Sequence, residues 1–595
     1  LRHDALVITR ASMKGPLHSV HPYFISIRTV DEYGMLTGEH RFLGTLTVPA
    51  LYESVLDIPI VAGRVREAIH HAGFPLDSYS GQQMLQVISG LPREELFSSD
   101  TERLHDTAIG VLAIAGSRGL RLFLRRDPYR RFIAVLVYLP RDRYTTSSRL
   151  AMSDVLRERL GGRAVDHTAW VSESSVAMVH FTVHTQPDAS GFETYFGRPQ
   201  AAAAATEALE NDLAAAIRTW DDRFLAQPGC EDATAALLAG VPEAYKATVD
   251  PAHAVEDLRR IAALEGPGAF DVRVHPGPAE HERRFTLYLA GEPVTLTSVL
   301  PLLQQLGVEV LDEQPAEFRR PDGLRCFRYD FGIRLDEATR AAVADRPEGE
   351  LERSFCAAFS AAWRGDAESD WFSPLVLRAG LPWREVAVLR AYARYARQVG
   401  VAYGMVYIAD VLLAHADVAA ALLALFRARF DPALDDRERS AAMHAALADV
   451  DRRIEAVTGL DADRILRAYV TGITATLRTN FYRNRAFLSF KVDPTKVPYM
   501  PQPRPRFEIF VYSPRVEGVH LRFGPVARGG LRWSDRPQDY RTEILGLVKA
   551  QQVKNAVIVP VGAKGGFVVR RSDPDAEEVQ ACYRTFISGL LDVTD

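Results

Sequence analysis

Cysteine is scarce in this chain: Cys230, Cys326, Cys356 and Cys582 stand far apart, with no C-x-x-C spacing. That excludes a disulfide framework and a structural zinc site, so no metal is expected, and a reducing cytoplasm fits best. Long apolar runs are missing too. Even Val401–Phe426 is interrupted by Asp410, His415 and Asp417, short of the roughly 20 residues that cross a bilayer, and no membrane partner is expected. No block of Lys and Arg and no recognised nucleic-acid motif occurs, which argues against nucleic acid as a partner. No G-x-G-x-x-G follows a candidate strand; Gly266-Pro-Gly268 lacks that context. An initiator Met and a signal peptide are also absent. The chain opens inside Ala5-Leu-Val-Ile8 and closes at Leu591-Asp-Val-Thr-Asp595, which reads as a piece of something longer.

What is present is ordinary globular material. At 47% hydrophobic and 25% charged residues, the chain is neither disordered, collagenous nor a coiled coil. Its 595 residues call for three to five domains at roughly 100–200 residues each. The formal net charge of −5 is an average, because between Arg504 and Arg571 thirteen Lys and Arg face five Asp and Glu. A basic segment on an acidic chain implies an anionic ligand.

Residues 22–48 alternate apolar and polar around Gly34 and Gly38, which predicts two strands joined by a turn. Residues 55–105 read as helical, with an amphipathic stretch at Ile60–His71. A repeat follows. Phe132–Leu139 reads as a buried strand, Ser147–Leu160 as a helix stopped by Gly161, and Ala164–Val171 and Val176–Thr185 as two more strands. The order returns in Arg284–Leu289, Leu296–Leu306 stopped by Gly307, Val308–Glu313 and Cys326–Ile333. Each glycine is free to take the positive φ that ends a helix. Two βαββ units predict two small sandwiches with antiparallel sheets. Ala201–Phe224, between them, reads as one Ala-rich helix.

From Glu348 to Phe481 the pattern is helical. Trp383–Tyr395 places Val386, Leu389 and Ala393 on one side and arginines opposite, which reads as a solvated face rather than an Arg-lined binding helix. Five prolines between 491 and 506 then predict a domain boundary.

The last ninety residues differ in kind. Phe507–Tyr512 and Val519–Phe523 read as strands, followed by Ala527-Arg-Gly-Gly-Leu-Arg-Trp-Ser-Asp-Arg536. Asp539 and Glu543 open an amphipathic helix with Ile544, Leu547, Val548 and Gln551 on one side. An apolar strand, Ala556–Val559, then leads into the glycine loop Val561-Gly-Ala-Lys-Gly-Gly566. Helix, strand and glycine loop together predict a parallel α/β sheet with ligands beyond its strand ends. Lys564 is the only long side chain of that loop, and a desolvated lysine among cations suits proton transfer. It is not a Walker loop, since Gly565 stands where Ser or Thr is needed. Arg528 precedes Gly529-Gly530 as a second cation. Lys554 ends the helix, where the dipole alone would favour a positive charge. Lys549, five positions earlier, lies about 140° around the helix and does not share a pocket with Lys554 while the helix continues. Three cations converging on one crevice would suit a dicarboxylate.

Arg528-Gly-Gly-Leu-Arg-Trp-Ser-Asp-Arg536, Glu543-Ile-Leu-Gly-Leu-Val-Lys-Ala-Gln-Gln-Val-Lys-Asn555 and Pro560-Val-Gly-Ala-Lys-Gly-Gly566 closely resemble the large, multidomain NAD-specific glutamate dehydrogenases of bacteria. Gly38–Gly44, Arg478–Tyr482 and Glu517–Leu521 resemble that family as well. The resemblance implies oxidative deamination of L-glutamate to 2-oxoglutarate and ammonia with NAD. It implies Lys564 as the catalytic lysine, and Arg528 before Gly529 and Gly530 at the substrate side-chain carboxylate, where smaller enzymes carry lysine. Lys554 maps to the α-carboxylate, with Lys549 as the alternative. The βαββ units resemble amino-acid-sensing ACT domains, which implies a possible effector and a homo-oligomer. The fold class expected is then multidomain α+β: an N-terminal segment (1–105), an ACT-like unit (106–228), a helical linker (229–265), a second ACT-like unit (266–340), a helical domain (341–490), and the beginning of an α/β substrate domain (491–595). The family's catalytic aspartate and NAD site are expected after Asp595, so the 595 residues alone are expected to be inactive. The competing reading is a regulatory and assembly module with no catalysis of its own.

Overall fold

The computed structural model describes residues 6–11, 22–33, 35–114, 119–171, 175–279, 281–344, 346–347, 349–524, 529–554 and 562–594, apart from the side chains of Gln552 and Lys554. The expected strand 556–559, and with it Arg528, lies outside the described residues. The chain is multidomain α+β and divides into two compact units, 1–228 and 229–595.

The first unit opens with an antiparallel sheet of β1 (Leu6–Arg10), β2 (Tyr23–Val30) and β3 (Leu36–Gly44). Helices Val61–His71, Tyr79–Ser89 and Thr101–Ile114 follow, and Val61, Val65, Ala68 and Ile69 bury one side of the first at helical spacing. The second sheet contains β4 (Arg121–Arg126), β5 (Phe132–Pro140), β6 (Ala164–Trp170) and β7 (Val176–His184), in the order β4-β5-β7-β6 and antiparallel throughout. Every residue of β5 is buried. Ile133, Val135, Val137 and Leu139 pack on helix α1 (Thr146–Arg159) through Met152 and Leu156, while Leu136 and Tyr138 pack on the earlier helices. A strand covered on both faces needs a continuous apolar run rather than an alternating one. The expected helix 201–224 is two helices, Pro199–Ala216 and Trp220–Leu225, because Thr219 forms a capping box with Asp222.

The second unit repeats the arrangement with β8 (Phe270–Pro276), β9 (Glu282–Ala290), helix α2 (Leu296–Gln305), β10 (Val308–Arg319) and β11 (Arg325–Leu335), in the order β8-β9-β11-β10. The repeat is therefore ββαββ rather than βαββ. Gly161 and Gly307, which stop α1 and α2, have φ of 66° and 86°. Helices between Glu350 and Ala475 follow, including α3 (Trp383–Gln398). The apolar stretch after Val401 folds as Met405–Ala414 and Ala416–Phe430, bent by 98°, and no single helix among the described residues is long and apolar enough to cross a membrane. The arginine side of α3 is not solvated: Arg390 is 1% exposed and gripped by Asp370 at 2.7 and 2.8 Å.

The last sheet has six strands: β12 (Thr476–Thr479), β13 (Leu488–Val492), β14 (Phe507–Tyr512), β15 (Val516–Arg522), β16 (Leu531–Trp533) and β17 (Ala563–Val569), in the order β12-β13-β14-β15-β17-β16. Two expectations change here. Only β16 and β17 are parallel, the other pairs being antiparallel. The proline-rich stretch is a connection inside the sheet, since β13 and β14 pair across it, and the sheet begins at Thr476 rather than after 491. Helix α4 (Tyr540–Lys554) covers one face through Ile544 and Val548. Helix α5 (Ala576–Val593) covers the other through Cys582 and Phe586.

Arg541 of α4 fixes that helix to the sheet through two 2.7 Å bonds to the fully buried Glu508 of β14. Burial opposes the arginine's charge, yet the carboxylate beside it raises its pKa overall. Removing one partner of such a pair strands the other's charge, at a cost of about 3–5 kcal/mol, whereas apolar replacement of both is often close to neutral. Glu508→Gln should lower the urea-unfolding free energy by that order, and Glu508→Leu with Arg541→Met should recover most of it. A single variant as stable as the parent would contradict the assignment.

Candidate functional site

The glycine motifs meet because two backbones touch. A Cβ on Gly529 would stand 1.5 Å from the Ala563 carbonyl oxygen, a position no side chain can occupy. The next carbonyl, Gly530, accepts from the Gly565 N–H at 3.3 Å, and Leu531–Trp533 then run parallel to Gly565–Phe567. On β17, a Cβ at Gly565 would meet Leu531 Cδ2 at 2.4 Å, and one at Gly566 would meet Ile544 Cδ1 at 2.3 Å. These glycines are there for close approach. Lys564 accordingly lies on a strand, opposite Leu521 of β15, and not in the loop expected. Its Nζ stands 3.6 Å from where a Cβ on Gly530 would be, so the structure does bring Lys564, Gly529 and Gly530 together. Glu543 of α4 steadies the edge strand by accepting from Arg532 Nε at 2.7 Å and Ser534 Oγ at 2.6 Å.

The other expected cations are not gathered there. Arg528 lies outside the described residues, and of Lys554 only its place as the last residue of α4 is described. Lys549 is exposed, about 140° around α4 from the buried Ile544. Part of this segment's positive charge is committed to structure: Arg515 pairs with Glu578, Arg536 with Asp539, Arg541 with Glu508, and Arg570 with Glu368 and Glu517. Glu578 and Glu368 lie outside the segment, so part of the anionic complement inferred from charge is the protein's own. Lys564 has no ion pair among the described residues.

Gln551 was passed over as a site residue. It follows Ile544 and Val548 along the packed side of α4, and its Oε1 is buried without a hydrogen-bond partner among the described residues, 3.2 Å from a Cβ placed on Gly562. An unmatched buried acceptor costs about 1–3 kcal/mol unless something supplies a donor. Its signal in the sequence was a carboxamide within an otherwise apolar row. His520 of β15 was not singled out either; its Cδ2 lies 2.8 Å from a Cβ on Gly565, and its buried Nδ1 has no partner among the described residues.

Residues 449–595 match the family profile described as the bacterial NAD-glutamate dehydrogenase catalytic domain. Residues 121–221 and 269–346 match the ACT2 and ACT3 domains of glutamate dehydrogenase, and 58–117 and 367–432 its helical motifs 1 and 3. The chain is 43% identical over 622 aligned residues to the NAD-specific glutamate dehydrogenase of Mycobacterium tuberculosis, covering 99% of this chain and 38% of that protein. The protein of the same name from Pseudomonas aeruginosa is 42% identical, over 97% of this chain and 36% of its own. That of Halomonas elongata is 38% identical over the same shares. The chain thus spans a little over a third of the length of these relatives.

Two outcomes follow from the packing. Gly529→Ala should force β16 off β17, seen as lost hydrogen-exchange protection at Gly565–Phe567, and retained protection would refute the crossing. Burial first, and then the charge of Arg522, hold the His520 pKa down to about 4 against an ordinary 6.5. The unfolded chain therefore binds that proton first. Stability is unaffected above about pH 6.5 and falls progressively between 6.5 and 4, by about 3 kcal/mol in full. His520→Gln should remove that slope from denaturation midpoints measured against pH; parallel curves for parent and variant would refute it.

Proposed function

The chain belongs to the family of bacterial NAD-specific glutamate dehydrogenases, and from that premise we propose that it serves the oxidative deamination of L-glutamate to 2-oxoglutarate and ammonia, with Lys564 as the catalytic lysine. The observation that carries this is the placement of Lys564: an amine with no ion pair among the described residues, beside a glycine crossing that admits backbone and ligand but no side chain. Deamination needs water to add at the α-carbon and ammonia to leave, and an amine held there moves the proton between them. In this reading Arg528, Gly529 and Gly530 receive the substrate's side-chain carboxylate. The α-carboxylate falls to Lys554 rather than to Lys549, whose exposed position on α4 argues against it. Gln551, with its unmatched Oε1, adds an acceptor from the same helix, suited to the substrate ammonium.

The hydride acceptor on this reading is NAD. These residues contain no strand–GxGxxG–helix unit, so no dinucleotide contact is assigned to them and no step is routed through it. The ββαββ units, at 106–228 and 266–340, are places for an amino-acid effector and for contacts within a homo-oligomer working in the cytoplasm. The 491–595 segment, extended back to β12, is the substrate half.

Lys564→Ala decides the reading. Turnover in the full protein should fall by about 10²–10⁴-fold, with the circular dichroism spectrum unchanged. Near-normal turnover would leave these residues a structural or regulatory role only.

A further inference from the structure

At the far end of the six-stranded sheet, α3 and the turn before β13 enclose a cavity of about 250 Å³. Trp383, Ala387, Phe487 and Tyr512 wall it, with Arg384 and Arg485 among them. It is not the Lys564 site. Tyr512 ends β14 at the hairpin to β15, level with the Arg570 end of β17, whose N–H bonds the Arg515 carbonyl at 2.9 Å. Six residues of extended strand, about 20 Å, separate Arg570 from Lys564.

The cavity's charges do not cancel. Glu368 is saturated, accepting from Arg394 at 2.8 Å, Arg570 at 2.9 Å and the Tyr512 hydroxyl at 2.7 Å. Arg394 and Arg570 also both reach Glu517, at 3.0 and 2.7 Å, closing a ring of alternating charges. Arg390 is held by Asp370, and Asp366 by Arg364 at 3.1 Å. What remains is cationic. Arg384 donates through Nη1 to the Arg485 carbonyl at 3.2 Å, and its Nε is buried with no partner among the described residues. It has no carboxylate partner among the described residues. Its guanidinium lies 5.6 Å from the Trp383 ring and 5.8 Å from that of Phe481. Among the described residues the one acid Arg485 reaches is Asp592, at 3.8 Å. Burial alone presses on the Arg384 charge and lowers its pKa.

A half-buried guanidinium without an acid, against aromatic and alanine walls, is a recognition problem with one simple solution. The fork of an arginine takes a carboxylate through two parallel bonds, and the flat walls take an apolar body. The space, about 250 Å³, has room for a body of one small ring. We propose that this cavity binds a small monocarboxylate bearing an apolar body, the acid pairing with Arg384 and the body lying between Trp383, Ala387 and Phe487. The saturated ring around Glu368 leaves no acid free to hold a cation in its place. The site is independent of the reaction assigned to Lys564.

Benzoate is the probe, with uncharged benzamide as its isostere, followed by ligand-detected NMR saturation transfer on the purified full chain. Benzoate should bind in the millimolar range, and benzamide at least tenfold more weakly. Arg384→Gln should weaken benzoate by tenfold or more. Ala387→Leu, which fills the cavity and leaves Arg384 in place, should abolish binding, and it decides the matter if the arginine variant does not fold. Saturating L-glutamate should not displace benzoate. Undetectable transfer, equal binding of the two probes, unchanged affinity in Ala387→Leu, or displacement by glutamate would each overturn the proposal.

Discussion

The passage of Gly529–Gly530 across Ala563–Gly565 is the contact on which the six-stranded sheet and its helices are organised. Two backbones approach until one carbonyl fills the place of a side chain. The edge strand β16 can then join β17, and Lys564 is presented from a rigid strand rather than from a loop. Helix α4 follows from the same contact: Glu543 ties its first turn to β16, Arg541 ties it to β14, and Ile544 settles over Gly566. Side chains on strands are held more tightly than those on loops, and here the tightness comes from glycines that carry none.

Part of this was legible in the sequence for plain physical reasons. The ββαββ units announce themselves because their central strands are buried on both faces and their helices stop at glycines of positive φ. Their first strands escaped notice. In β4 only three apolar residues stand between charges, Arg121 at one end and Arg125-Arg126 at the other, too short a run to mark a strand. The parallel sheet was misjudged because β17 pairs mainly with β15, which lies 41 residues upstream of it and runs the opposite way; only the three-residue β16 is parallel. The prolines suggested a boundary, but backbone pairing between β13 and β14 spans them. Of the candidate site, the glycines and Lys564 were legible as a motif and Gln551 only as a carboxamide in an apolar row; the burial of its Oε1 near Gly562 needed the fold.

Charge shows the same limit. Counting Lys and Arg between 504 and 571 locates a basic segment, but some of those groups pair with acids brought from elsewhere in the fold, Arg570 with Glu368 and Arg515 with Glu578. The arginine row of α3 goes the other way: it looked like a wetted surface and is an internal ion-pair array centred on Glu368, Asp370 and Glu517. Only after these pairs are accounted for do the unsatisfied groups stand out. Two of them among the described residues are Lys564 at one end of the sheet and Arg384 at the other.

The pairing of β16 with β17 also bears on the order in which the chain assembles. The hairpin of β14 and β15 closes a turn of three residues, Ser513 to Arg515, whereas β16 reaches its partner only after the whole of α4 has intervened. Local pairs form early, and parallel pairs with long crossovers form late, because loop entropy must be overcome before their contacts contribute. The crossing at Gly529 is thus among the last parts of this sheet to close. Until it does, Lys564 has no partner strand on that side, and the nascent or partly folded chain carries no assembled site.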